Sequence, residues 1–113
     1  MFETVKVGRR IAQFRKKKNM TQFELADALG ISFQAVSNWE RGNSMPDISR
    51  LSELAEIFDV SVDDILGKKN QVVLDVARGE DVKAEKYSED ELEEAASIMK
   101  PEEVEEIVAS SSK

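Results

Sequence analysis

Residues 21–42 constrain the fold more than any other stretch, because they hold two helix signals with almost no chain between them. Thr21-Gln22-Phe23-Glu24 is a capping box: Thr21 caps, and Glu24 reaches back three residues later to the backbone of Thr21. The helix it opens runs to Leu29 and stops at Gly30, which turns the chain without a Cβ penalty. Ile31 connects. Ser32 caps the next helix, which runs to Arg41 and ends at Gly42. Two helices joined this tightly pack only if their crossing point is small. Ala26 supplies the small side chain, Val36 closes the wedge from the other helix, and Leu25, Leu29, Ile31 and Trp39 surround them with apolar contacts. The pattern predicts a helix-turn-helix.

The rest of residues 1–69 extends this into five short helices. Val7, Ile11 and Phe14 recur at helical spacing and predict a first helix over residues 5–18. Pro46 and Asp47 open a fourth, with Ile48, Leu51, Leu54, Ala55 and Phe58 on one face. Ser61-Val62-Asp63-Asp64 opens a fifth that carries Ile65 and Leu66 and ends at Gly67. Composition shifts there, so the expected division is 1–69 and 70–113. In the second part, residues 71–77 are apolar-rich, and periodicity does not separate helix from strand. Ser88-Glu89-Asp90-Glu91 reads as a helix start, and Pro101 as the first residue of a last helix. Two readings stand for this extension. It is helical and dimerises by burying Leu92, Met99, Val104, Ile107 and Val108, or it is a disordered acidic segment.

The net charge of −7 at first speaks against a nucleic-acid partner. Its placement removes the objection. Residues 1–69 carry 11 Lys and Arg against 10 Asp and Glu, whereas residues 70–113 carry 5 against 13. Local patches attract phosphates, not totals. The chain has no cysteine and no histidine, which excludes a disulfide framework, thiolate metal sites and the commonest general base. No nucleophile–base arrangement or glycine-rich phosphate loop suggests an enzyme, and no cofactor or metal is implied. No apolar run is long enough to span a membrane, and the expected location is cytoplasmic.

On the third helix, Gln34, Ser37, Asn38 and Arg41 fall on one face, while Val36 and Trp39 point into the core. A Gln or Asn amide bonds the N6 and N7 of an adenine together. The alternative is an ordinary solvated face. Arg41 and the Gly42-Asn43 loop would approach a DNA backbone or simply form a cationic helix end. Lys16, Lys17 and Lys18 serve phosphate attraction or solubility equally well. Phe33, early on the same helix, packs on a thymine methyl or deoxyribose, or else on neighbouring protein; Phe23 is similarly exposed and marks a candidate subunit contact.

The stretch of residues 21–42, with Met45-Pro46-Asp47 and Leu54-Ala55-Glu56-Ile57-Phe58, resembles the Cro/repressor-like helix-turn-helix family, also called the xenobiotic-response-element family. The resemblance covers residues 5–67 or so and leaves the extension unaddressed. It implies an all-α, five-helix repressor-like DNA-binding domain whose third helix, residues 32–41, enters the major groove, here followed by an acidic, partly helical C-terminal extension. Within that family the outer face makes Gln34, Ser37 and Asn38 the base readers and Gln22 a phosphate contact; Phe33 joins the candidate base readers on the reading left open above, and Ser32, Arg41, Asn43 and Lys17 are the further candidate phosphate contacts. The resemblance also implies that Arg15 and Glu40 pair, tying the first helix to the third. The expected function is a sequence-specific, double-stranded-DNA-binding transcriptional regulator, a repressor acting as a homodimer. The alternative is an antitoxin or other regulator whose acidic tail engages a protein partner.

Overall fold

Among the described residues, six helices begin at a side chain that accepts a backbone N–H of the first turn: Thr21, Ser32, Asp47, Ser61, Asn70 and Ser88. Such caps satisfy donors that a helix cannot satisfy itself. The computed structural model describes residues 2–111; the side chains of Glu106 and of residues 108–111 lie outside the described ones, and with them the expectation for Val108. Among the described residues the order is α1 (Thr4–Lys17), α2 (Gln22–Leu29), α3 (Phe33–Glu40), α4 (Ile48–Phe58), α5 (Val62–Leu66), α6 (Gln71–Ala77), a 3-10 turn (Ala84–Lys86), α7 (Glu89–Ala96) and α8 (Pro101–Ser111), with no strand.

The fold is all-α, as expected, with local differences. Pro46 and Asp47 precede α4 instead of forming its first turn: Asp47 is the cap, with extended backbone, and Pro46 is buried in the preceding loop. Residues 71–77 form a helix, which resolves the ambiguity left by their apolar run. Asp59, without glycine's freedom, ends α4 at a φ of 57°.

One core joins the elements. Val7 and Ile11 of α1, Leu25 and Leu29 of α2, Val36 and Trp39 of α3, Leu51 and Leu54 of α4 and Ile65 of α5 are all buried in it. Each such side chain contributes roughly 1.5–3 kcal/mol on burial. Gly8 sits inside α1, where glycine is unfavourable. A Cβ there would lie 2.2 Å from the Trp39 carbonyl oxygen, so the missing side chain is what lets α1 close on the end of α3.

The extension adds to the same core through Val72, Val73, Ala95 and Ile98. Asn70 is buried at the joint. Its Oδ1 accepts the Val73 N–H at 3.2 Å and its Nδ2 donates to the Glu91 carbonyl at 2.9 Å, fastening α6 to α7. The Ile98 carbonyl accepts the Ile48 N–H at 3.1 Å, so chain beyond α7 satisfies a first-turn donor of α4. Lys68 and Glu94 form an ion pair. Tyr87 Oη donates to Asp75 at 2.6 Å. The hydrogen bonds from Tyr87 and Gln71 hold the Asp75 carboxyl below its ordinary value. Burial, with the bond to Asp75, pushes the Tyr87 phenol up to about 12. Among the described residues no helix is long and apolar enough to cross a membrane.

Candidate nucleic-acid interface

The interface is assembled from two helix starts and one helix face. The Thr21 hydroxyl accepts the Glu24 N–H at 3.0 Å, and the Glu24 carboxylate accepts the Thr21 N–H at 2.9 Å. Gly30 turns the chain at a φ of 67°, and the Ser32 hydroxyl accepts the Ala35 N–H at 3.2 Å to start α3. Val36, at 0% exposure, and Trp39, at 7%, fix the inner side of α3. Helical geometry then forces Gln34, Ser37, Asn38 and Arg41 to the other side.

That outer side is a linked polar row. Gln34 and Arg41 are exposed, and Ser37 and Asn38 are half-buried. Gln34 Nε2 donates to Asn38 Oδ1 at 3.3 Å, and Arg41 Nη2 donates to the same oxygen at 2.8 Å. Arg41 Nε also reaches the Ser37 carbonyl at 3.4 Å. These bonds link the three side chains along the outer face of α3. Asn43 is exposed just beyond the end of α3, and its N–H donates to the Asn38 carbonyl at 2.9 Å.

Behind the row the structure brings Arg15, Gln22 and Glu40 together. Arg15 Nε donates to Glu40 Oε2 at 2.7 Å and Arg15 Nη2 to Glu40 Oε1 at 3.0 Å, a two-point geometry. Gln22 Nε2 donates to Glu40 Oε1 at 2.9 Å, and Arg15 Nη1 donates to the Met20 carbonyl at 2.7 Å. Side-chain exposure is 11% for Arg15 and 7% for Glu40, so the acid is both neutralised and withdrawn from any ligand on the outer face. One cluster thus clamps α1, the start of α2 and the end of α3.

Phe33 stacks on Phe23, with ring centroids 4.3 Å apart and planes 15° from parallel. Ser32 is exposed beside them as the cap of α3. Lys17 stands apart from this group: it lies in the last turn of α1, beside a cleft shared with Phe14, Lys18, Phe58, Asp59 and Val60.

Two contributors escape the sequence reading. Gly8 carries a detectable signal, because glycine inside an otherwise good helix costs about 1 kcal/mol against alanine and implies close approach. Arg50 Nη1 donates to the Leu29 carbonyl at 2.9 Å, satisfying an acceptor at the end of α2. Nothing local to Arg50 foretells a partner 21 residues away.

Residues 11–65 match the model of a helix-turn-helix family. The chain is 33% identical over 64 residues to the cryptic phage CTXphi transcriptional repressor RstR of Vibrio cholerae, covering 57% of each chain. It is 34% identical over 65 residues to the HTH-type transcriptional activator BcrR of Enterococcus faecalis, covering 58% of this chain and 32% of that one. It is also 41% identical over 58 residues to the uncharacterized HTH-type transcriptional regulator YazB of Bacillus subtilis, covering 51% of this chain and 84% of YazB. The chain thus spans little more than half the length of the CTXphi repressor and a third of BcrR.

Proposed function

Since the chain belongs to the helix-turn-helix family of transcriptional regulators, we propose that it binds specific double-stranded DNA sites and represses transcription there. The observation that carries this reading is the polar row Gln34–Asn38–Arg41, braced on a rigid two-helix scaffold and left exposed at both ends. A major groove admits one α-helix, and amides there pair with the edge of an adenine. Gln34, Ser37 and Asn38 read bases in this proposal. Arg41 and Asn43 meet the phosphate backbone on one side of the groove.

Gln22 and Ser32 meet the backbone on the other side, at the N-termini of α2 and α3, where unpaired N–H groups favour anions. Gln22 spends one amide hydrogen on Glu40 and keeps its second for a phosphate oxygen. Lys17 contributes longer-range attraction. Repression is the activity named for the CTXphi relative. A single reading helix covers few base pairs, so the chain acts as a homodimer on half-sites about 34 Å apart. Residues 1–69 contact DNA in this reading, and the acidic residues 70–113 supply further surface for pairing or for a protein partner.

Selection from random duplexes, followed by titration at several salt concentrations, tests this. The expected result is an approximately palindromic preferred site and an affinity that falls steeply with salt, by about 0.9 in log–log slope per phosphate neutralised. Equal affinity for every duplex would overturn the proposal.

A further inference from the structure

Among the described residues, the large apolar side chains left exposed are Val5, Phe23 and Phe33. Two of these are one feature. Phe23 is 68% exposed and Phe33 37% exposed, and their rings lie flat against each other. Phe23 follows Gln22 in the first turn of α2, and Phe33 precedes Gln34 in the first turn of α3. The pair therefore fills the seam between the two helix starts, next to the polar row.

Stacking removes one face of each ring from water and leaves the rest wet. A polar residue at either position would be solvated without loss, whereas the stacked pair offers a ligand an apolar edge to cover. Its continuity with the row of Gln34 and Asn38 decides what covers it. Phe33 and Gln34 are both exposed in the first turn of α3, the end of a reading helix that meets base edges, so a duplex reached by Gln34 passes within reach of Phe33. In duplex DNA, the apolar group on the major-groove edge is the C5 methyl of thymine.

We infer that Phe33, backed by Phe23, is a methyl reader: it seats the C5 methyl of a pyrimidine at one fixed position of each half-site. This rests on the DNA-reading role proposed above. Phe33 touches the methyl, while Phe23 positions its ring by stacking. The contact senses the methyl and not the Watson–Crick pattern, so a 5-methylcytosine at that position is recognised in place of thymine.

The test uses the full chain and its selected duplex. Each thymine is replaced in turn by deoxyuridine, which deletes the methyl and nothing else. At one position per half-site the unaltered protein is expected to lose affinity about fourfold, the worth of one buried methyl-sized group. Phe33→Ala and the polar Phe33→Gln lose that sensitivity, and Phe23→Ala weakens it. Replacing the same thymine–adenine pair by 5-methylcytosine–guanine retains more affinity than cytosine–guanine. Both rings are exposed, so circular dichroism of the variants should be unchanged; Phe33→Gln keeps the comparison open if Phe33→Ala misfolds.

A preferred duplex with no methyl-sensitive thymine, or equal sensitivity in the Phe33 variants, overturns the inference while leaving DNA reading intact. The absence of any preferred duplex overturns both. If the Phe23 and Phe33 variants instead sediment as a smaller species than the unaltered protein, the slab joins two copies of the chain and the inference fails.

Discussion

Glu40 accepts from Arg15 at two points and from Gln22 at a third, and almost none of it reaches solvent. Removing it strands the Arg15 guanidinium in the interior, which costs about 3–5 kcal/mol. Glu40→Ala is accordingly expected to lower Tm by about 10 °C or more. The double variant Arg15→Met with Glu40→Leu, which leaves no stranded charge, should recover most of that loss. A Glu40→Ala protein with unchanged Tm would show that the cluster does not brace the fold. The pairing of these residues was legible through family resemblance, because distance along the chain says nothing about who meets Glu40. The part played by Gln22 in the same cluster was not legible: its expected role lay outward, towards phosphate, and its inward bond depends on where α1 delivers Arg15.

α2 and α3 were readable in detail because their signals are local. A capping box, a turn glycine and a serine cap each act within four residues, and the inner and outer faces of α3 follow from helical spacing. What lies between elements was less readable. Gly8 looks like a poor residue for α1 until α3 is placed against it. Gly8→Ala therefore reverses the usual rule: instead of stabilising a helix by about 1 kcal/mol, it forces α1 from α3 and lowers Tm. A higher Tm would refute the close approach.

The joint between α6 and α7 is likewise built from distant partners. Asp75 and Glu91 are held below their ordinary values of 3.8 and 4.5 by hydrogen bonds, from Tyr87 and Gln71 onto Asp75 and from the Gln71 and Ser88 backbone onto Glu91. Their contribution is thus complete above those values and is lost as pH falls through the lowered ones. Tyr87 works in the opposite sense. Its phenol is raised from 10.0 to about 12, so its contribution is complete below 10.0 and disappears as pH rises towards 12. Tyr87 is the one tyrosine in the sequence, so absorbance titration reads it directly. The expected midpoint is near 12, and a midpoint at 10.0 would deny both the burial of the phenol and its bond to Asp75.

Charge and core divide the protein differently. The acidic excess begins after residue 69, yet apolar packing continues across that point through Val72, Val73, Ala95 and Ile98. Composition tracks solvent-facing side chains, so it marked the change of surface and passed over the shared interior. Ending the chain at residue 69 should therefore lower Tm, since the apolar contacts removed with those side chains are worth roughly 4 kcal/mol or more; an unchanged Tm would show that the extension packs independently.

The extension's charge also leaves DNA approach to depend on the local field around α3 rather than on the total of −7. The most direct measurement compares Gln34→Ala with the unaltered protein on the selected duplex and on a scrambled duplex of equal length, at one salt concentration. The ratio of the two affinities should fall about tenfold or more in the variant, with binding to the scrambled duplex within about twofold of the original. An unchanged ratio would mean that the outer face of α3 does not read the bases.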